Sequence, residues 1–214
     1  MHPLSVPAGS TVASEHIPIE PSILYVGTPV ALLSTENVDG SFNLAPMSSV
    51  WALGDTVVLG LSKAGQTGLN LAERPDVVVN FPDPVQWEAV ERLAPLTGRD
   101  PVPESKRDRC RFEPDKFAAA GLTPQASELV RPPRVLECPL QFEARSTVVR
   151  SDAADEFLII EAAVLRVHAR RELVVPGTDH VDPDCWSPLI YNFRHYHGLA
   201  PRVGFSFRSE TARR

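Results

Sequence analysis

Cysteine is scarce: Cys110, Cys138 and Cys185 are the only three in 214 residues, and no two form a C-x-x-C pair. Neither a disulfide framework nor a structural zinc site is supported, and three free thiols suit a reducing cytoplasm. No apolar run approaches membrane-spanning length, and residues 1–16 lack the basic cluster and apolar core of a secretory signal. Positive charge is short as well. A net charge of −6 gives no general attraction to nucleic acid or to an anionic membrane, although a local basic pocket stays open. Also missing are a G-x-S-x-G elbow, H-E-x-x-H, a P-loop and G-x-G-x-x-G after a strand. Their absence removes the usual machinery of hydrolysis and of Rossmann-type dinucleotide binding. The expectation is a soluble, cytoplasmic protein with no resident metal and no nucleic-acid or membrane partner.

What the chain has in excess is proline, 21 residues, roughly double the average usage of about 5%. That disfavours long helices and favours short strands joined by extended connections. With 43% apolar and 22% charged residues the composition is that of a globular protein. Residues 1–20 read as a surface arm, 21–208 as one domain and 209–214 as a frayed tail. Residues 23–35 form a first strand, 36–40 a turn ending in Gly40, and 41–47 the return of a hairpin. Residues 56–62 are a third strand, 68–73 a short helix stopped by Pro75, and 76–81 a strand buried on both faces. Residues 85–97 read as one amphipathic helix shortened by Pro95, and 114–121 as a brief helix with Pro at its start and Gly at its stop. Residues 135–149 and 157–168 alternate apolar with polar and form a second antiparallel pair around a turn at 151–155. There is no regular strand and helix alternation, so the fold class is mainly β: a closed or split antiparallel barrel with helical insertions.

The chemistry concentrates between Asn43 and Asn80. Asn43, Ala45, Pro46, Met47, Ser48, Ser49 and Val50 close one β-rich run, while Ser62, Lys63, Thr67 and Asn70 gather where a helix begins. Small and hydroxylated residues there leave backbone N–H groups open to a ligand, and such a cluster offers donors to an anion. A pocket for a flat, phosphorylated cofactor is the reading. Plain structural uses compete with it: a strand end for residues 45–50, helix capping by Thr67, and a hydrogen-bonded strand end for Asn80. His180, Asp182, Asp184 and Cys185 with His195 and His197 suggest a metal, but nothing fixes a geometry, and a solvated turn is the better reading. Trp51, Trp87 and Trp186 read as core or interface fillers. The basic run at 106–111, broken by Asp108, reads as a solvated loop that can also serve as a lid.

The ordered series Asn43-x-Ala45-Pro46-x-Ser48, a strand ending at Ser62, Thr67-x-x-Asn70, and a strand ending at Asn80 resembles the flavin reductase-like family, over roughly residues 20–205. The resemblance implies a homodimeric split barrel of the FMN-binding type, with FMN held noncovalently near the subunit interface. Residues 45–50 would then meet the polar edge of the flavin ring. Ser62, Lys63 and Thr67 would hold the 5′-phosphate, and Asn80 would close the floor. Arg194, His195 and Tyr196 resemble the segment that borders the nicotinamide side, though residues 176–186 add a segment that short reductases need not share. The implied activity is hydride transfer from NADH or NADPH to flavin N5, with electrons passing to free flavin, oxygen or a partner monooxygenase; it requires no acid, base or nucleophile from the chain. The alternatives are a non-catalytic FMN carrier of the same fold, and a flavin-independent enzyme using the C-terminal His/Asp loop.

Overall fold

The computed structural model describes residues 16–207. The expected tail at 209–214 and residues 1–15 of the expected arm lie outside them; residues 16–20 are exposed and carry neither strand nor helix. The chain begins with β1 (Val26–Pro29), β2 (Ala31–Glu36), β3 (Phe42–Met47), β4 (Val50–Leu53) and β5 (Thr56–Ser62), then α1 (Gln66–Glu73) and β6 (Asp76–Phe81). An excursion follows, with α2 (Trp87–Leu93), β7 (Leu96–Thr97), β8 (Arg111–Phe112), α3 (Lys116–Ala120), β9 (Pro124–Gln125) and β10 (Arg134–Val135). Two long strands, β11 (Leu140–Ser151) and β12 (Phe157–Ala169), rejoin the sheet, and the hairpin β13 (Ile190–Asn192) and β14 (His195–His197) comes last.

Seven strands pair antiparallel in the order β3-β2-β6-β11-β12-β5-β4. The two outermost strands, β3 and β4, are joined by only Ser48 and Ser49, so the sheet must curl until its edges meet. The Gly60 N–H on β5 donates to the Ser49 carbonyl at 2.9 Å and fastens that bend. A Cβ at Gly60 would sit 3.0 Å from the Ser49 Cβ, so this crossing depends on glycine. The result is a mainly β, split antiparallel barrel.

Alternation decides what fills it. Val57, Leu59 and Leu61 of β5 point inward and join Leu33, Val77, Val79 and Ile160 in the barrel core. On β2, Leu33 enters that core while Leu32 faces outward, packing with Leu44, Val90, Leu93 and Phe117 under α2 and α3. Both faces of β2 and β6 are thus covered, as the continuous apolar run at 76–81 anticipates. Each fully buried Leu or Val contributes about 1.5–3 kcal/mol, and a one-residue slip of β2 would exchange the two sets.

Three expectations change, and the structure adds elements that had none. The run at 23–35 is two strands: Pro29 cannot donate to a ladder, Gly27 at φ 90° makes a bulge, and the chain changes sheets at Val30, so β1 pairs with β13 instead. The helix expected at 85–97 is a 3₁₀ turn (Pro84–Gln86) followed by α2, which stops before Pro95; Leu96 and Thr97 then pair with β8. The strand expected from 135 starts at Leu140, because Pro139 and a turn from Val135 to Cys138 precede it. Finally, β4 and the β13–β14 hairpin went unread, the first hidden in an apolar run and the second built on Phe193 and Arg194 at positive φ. Among the described residues no helix is long and apolar enough to cross a membrane.

Candidate functional site

A cavity of about 610 Å³ opens where the barrel, the start of α1, the excursion and the C-terminal hairpin converge. Its first wall is the end of β3 with the bend and the facing strand: Ala45, Pro46, Met47, Ser48, Ser49 and, from β5, Ser62. The bend leaves main-chain groups outside both ladders, as a reading from small residues at strand ends requires. Tyr25 reaches across from the segment just before β1, its hydroxyl 2.9 Å from Ser49 Oγ.

The second wall is the beginning of α1. Its N-cap is Gly65, whose lack of a side chain leaves the first-turn N–H groups without a side-chain cap. Thr67 lies in that first turn, and its hydroxyl accepts from Asn43 Nδ2 at 3.0 Å. The other end of the Asn43 amide, Oδ1, is buried with no hydrogen-bond partner. Gly98 keeps the space beside it open, since a Cβ there would stand 2.4 Å from Oδ1. An unsatisfied acceptor costs about 1–3 kcal/mol, so a ligand N–H is the group this niche suits.

The excursion builds the third wall. Glu91 and Leu93 from α2, then Lys106, Cys110 and Lys116, face the cavity. Lys106 Nζ lies 3.6 Å from where a Gly65 Cβ would be, which puts an ammonium at the head of α1. Lys116 is only 3% exposed, and burial, then the nearby Lys106 charge, lower its pKa to about 8. The fourth wall is aromatic: Tyr25, Tyr191 and Tyr196, with Arg194 at the turn of the hairpin. Tyr25 and Tyr191 meet edge to face at 5.7 Å, and the Tyr191 and Tyr196 rings lie tilted to each other at 5.5 Å. The Tyr196 hydroxyl donates to Glu91 at 2.9 Å; burial and that carboxylate push its pKa upward.

Ten of the candidate residues therefore share one cavity: Asn43, Ala45, Pro46, Met47, Ser48, Ser49, Ser62, Thr67, Arg194 and Tyr196. Five sit elsewhere. Val50 belongs to the barrel core. Lys63 turns outward to an ion pair with Asp155 at 2.6 Å. Asn70 is fully buried and ties α1 to the end of β2 by donating to Thr35 Oγ1 and Asn37 Oδ1. Asn80 donates to the Leu32 carbonyl and accepts from the Val135 N–H, closing the gap between β2 and the excursion. His195 is exposed and bonded to its own turn at the Phe193 carbonyl.

Sequence reading missed Tyr25, Glu91, Tyr191 and Lys116, and took in Lys106 and Cys110 only as part of a loop able to serve as a lid. The spacing of Lys106 and Cys110 was the available signal, because residues four apart share one side of a helical turn. Both are half-buried toward the cavity while Arg107, Asp108 and Arg109 between them are exposed. Trp51 and Trp87 are exposed, and Trp186 packs on the barrel core. Among the described residues, no group of three or more His, Cys, Asp or Glu side chains is placed to hold a metal ion.

Comparison with known proteins agrees with this architecture. A family described as "Flavin reductase like domain" matches residues 24–200. The Bacillus subtilis (strain 168) protein YdfE, itself described as uncharacterized, is 43% identical over 195 residues, covering 90% of this chain and 94% of its own. Among solved structures, flavoredoxin of Desulfovibrio vulgaris (Miyazaki F) superposes with a TM-score of 0.74 at 18% identity, covering 92% of this chain and 100% of that one. Nitrilotriacetate monooxygenase component B from Bacillus cereus gives 0.68 at 21% identity, with 86% and 89% covered. A family match spanning most of the chain, on a split barrel whose single bend opens into a donor-lined cavity, means that this protein belongs to the flavin reductase-like family.

Proposed function

We infer that this protein is an FMN-binding NAD(P)H:flavin oxidoreductase that passes a hydride from nicotinamide to flavin N5 and delivers the electrons to free flavin, oxygen or a partner monooxygenase. The observation that carries the reading is the cavity itself. It joins an uncapped helix start with two hydroxyls, Ser62 and Thr67, to an unsatisfied amide acceptor at Asn43 and an aromatic wall. Phosphate suits the first, a donor N–H the second, and a flat ring the third. Residues 45–49 fit the polar edge of a flavin, since they border the cavity at the bend where Ser48 and Ser49 lie between the ladders of β3 and β4.

When bound, FMN supplies the hydride-accepting chemistry. The chain's own work is to hold and exclude. Ser62, Thr67 and the α1 N–H groups anchor the phosphate, and groups around Ser48 and Ser49 stabilise negative charge at the ring edge. Tyr196, fixed by Glu91, and Arg194 border the space left for nicotinamide. No acid, base or nucleophile from the chain is required. The proposal includes a cytoplasmic homodimer. Trp51 at 56% exposure and Leu53 at 68%, two residues apart on the edge strand β4, support an apolar patch for a second copy to cover.

An absorption spectrum of the purified protein, then anaerobic titration with NADH and NADPH, tests the reading. Yellow protein bleached by a nicotinamide is the expected result. Yellow protein that neither reductant bleaches would make it a carrier, and colourless protein that takes up no added FMN would end both readings.

A further inference from the structure

Lys116 is the most anomalous charged group in the cavity wall. It opens α3, is 3% exposed, and lines the cavity with Lys106 and Cys110. Among the described residues no carboxylate lies within ion-pair distance of it, and its Nζ donates no hydrogen bond. The charged groups around it are otherwise engaged. Asp115 caps the Ala118 N–H, Glu113 accepts from the Asp115 N–H, Glu91 is held by Tyr196, and Arg92 on α2 donates to the Ala120 carbonyl. Glu88 on α2 forms no ion pair, and β3, which also packs on α3, brings no charged side chain. Among the charges that act on it, the largest effect is that of another cation, Lys106, which works with burial, while Cys110 and Glu113 act in the opposite sense. An ammonium in that position destabilises the folded chain unless something anionic arrives.

We propose that Lys116, with Lys106, is the specificity element of this cavity: it selects a ligand bearing a dianionic phosphate, whose charge offsets two cations of the cavity wall, of which Lys106 stands at the head of α1. The inference rests on the cofactor reading above in naming FMN as that ligand. It moves the cationic half of the site from the barrel strand, where Lys63 is tied to Asp155, to the excursion between α2 and α3. Riboflavin, which lacks the phosphate, gains nothing from either lysine. Because burial already lowers Lys116 to about 8, binding above that pH draws one proton from solvent onto its amine. Affinity for the phosphate ester then falls toward tenfold per pH unit, while below it the profile is flat.

The test uses the whole chain as wild type, Lys116→Met and Cys110→Ser, titrated with FMN and riboflavin by flavin fluorescence at about pH 7, 8 and 9. Hydrogen bonds to a charged group of about 1.5–3 kcal/mol correspond to about ten- to hundredfold, so Lys116→Met should lose that much FMN affinity and about twofold or less for riboflavin. The fall in FMN affinity from pH 8 to 9 should persist in Cys110→Ser, which removes the thiol as its source, and vanish in Lys116→Met. Equal FMN affinity in Lys116→Met, or an unchanged pH profile, overturns the proposal. Without ligand Lys116→Met should melt at or above the wild type; a lower melting temperature would reveal a structural partner and also overturn it. Inorganic phosphate, compared with chloride at equal ionic strength, supplies a readout without flavin. If no flavin binds but phosphate raises the melting temperature of wild type and not of Lys116→Met, the cofactor reading fails and this one stands. If phosphate acts on both alike or on neither, this one fails.

Discussion

Glu143 and Lys116 are both charged and both almost wholly buried, yet their surroundings are opposite. Glu143, at 0% exposure on β11, accepts from the Glu128 and Leu129 N–H groups at 2.9 and 2.6 Å, meets His168 Nε2 at 2.7 Å, and has Arg134 Nε at 3.7 Å. Burial works against its ionised form, but those bonds outweigh it and hold the carboxyl below its ordinary value. Every oxygen is satisfied, and the loop before β10 is pinned to the sheet. Lys116 has no such partners and borders a cavity. A buried charge with all its bonds made serves the fold, and one left open is a place reserved for something else.

The sharpest way to break that comparison is Glu143→Ala. It leaves the Glu128 and Leu129 N–H groups and the His168 ring without their partner, so a loss of about 3–5 kcal/mol is expected in urea unfolding at neutral pH, where Lys116→Met loses none. The acid side carries the sign. With a folded pKa below the ordinary 4.5, the carboxylate's contribution is complete above that value and is lost as pH drops through the folded one. Wild-type stability should therefore fall more steeply below about pH 4.5 than that of the variant.

Next in size is Ser62→Ala combined with Thr67→Ala. Two donors to a charged group go at once, so FMN affinity should drop at least about tenfold in a fluorescence titration. Undiminished retention would remove the phosphate from the head of α1. Gly98→Ala is smaller: its Cβ would press on Asn43 Oδ1 and displace an amide bonded to Thr67, destabilising by about 1–3 kcal/mol in thermal melts and weakening FMN with it. Lys63→Met comes last. Its exposed pair with Asp155 should matter to neither melting temperature nor FMN affinity. A loss matching that of the Ser62 and Thr67 pair would return the phosphate to the strand and leave Lys116 without its role.

How much of this was legible can be read from particular residues. The strand at 76–81 was readable because a run of valines is buried on both faces wherever it packs. The C-terminal end of α3 was readable too, with Gly121 at φ 67° stopping it, whereas its start is set by Asp115 as the N-cap and not by Pro114. Donors on residues 43–49 and at Ser62 and Thr67 were legible as an ordered series of small polar residues. Asn70 and Asn80 carry the same chemistry, but their bonding is satisfied by β2 and the excursion, which no local pattern displays. Lys63 is adjacent to Ser62 in sequence and was grouped with it. The register of β5 against β12 places it instead at the turn holding Asp155.

Strand periodicity, the turns and the small polar residues that line one side of the cavity are local properties of the chain. These follow from backbone sterics and from which face of a short segment is apolar, both settled within a few neighbours. Tertiary structure decided that β3 and β4 close a barrel through Ser48 and Ser49, that the chain leaves the sheet at Val30, and that Lys106 and Lys116 share a cavity with the head of α1. Such placements depend on strands and loops distant along the chain meeting in one packed arrangement. A cation's role is therefore set by which carboxylates that packing brings within reach, or withholds.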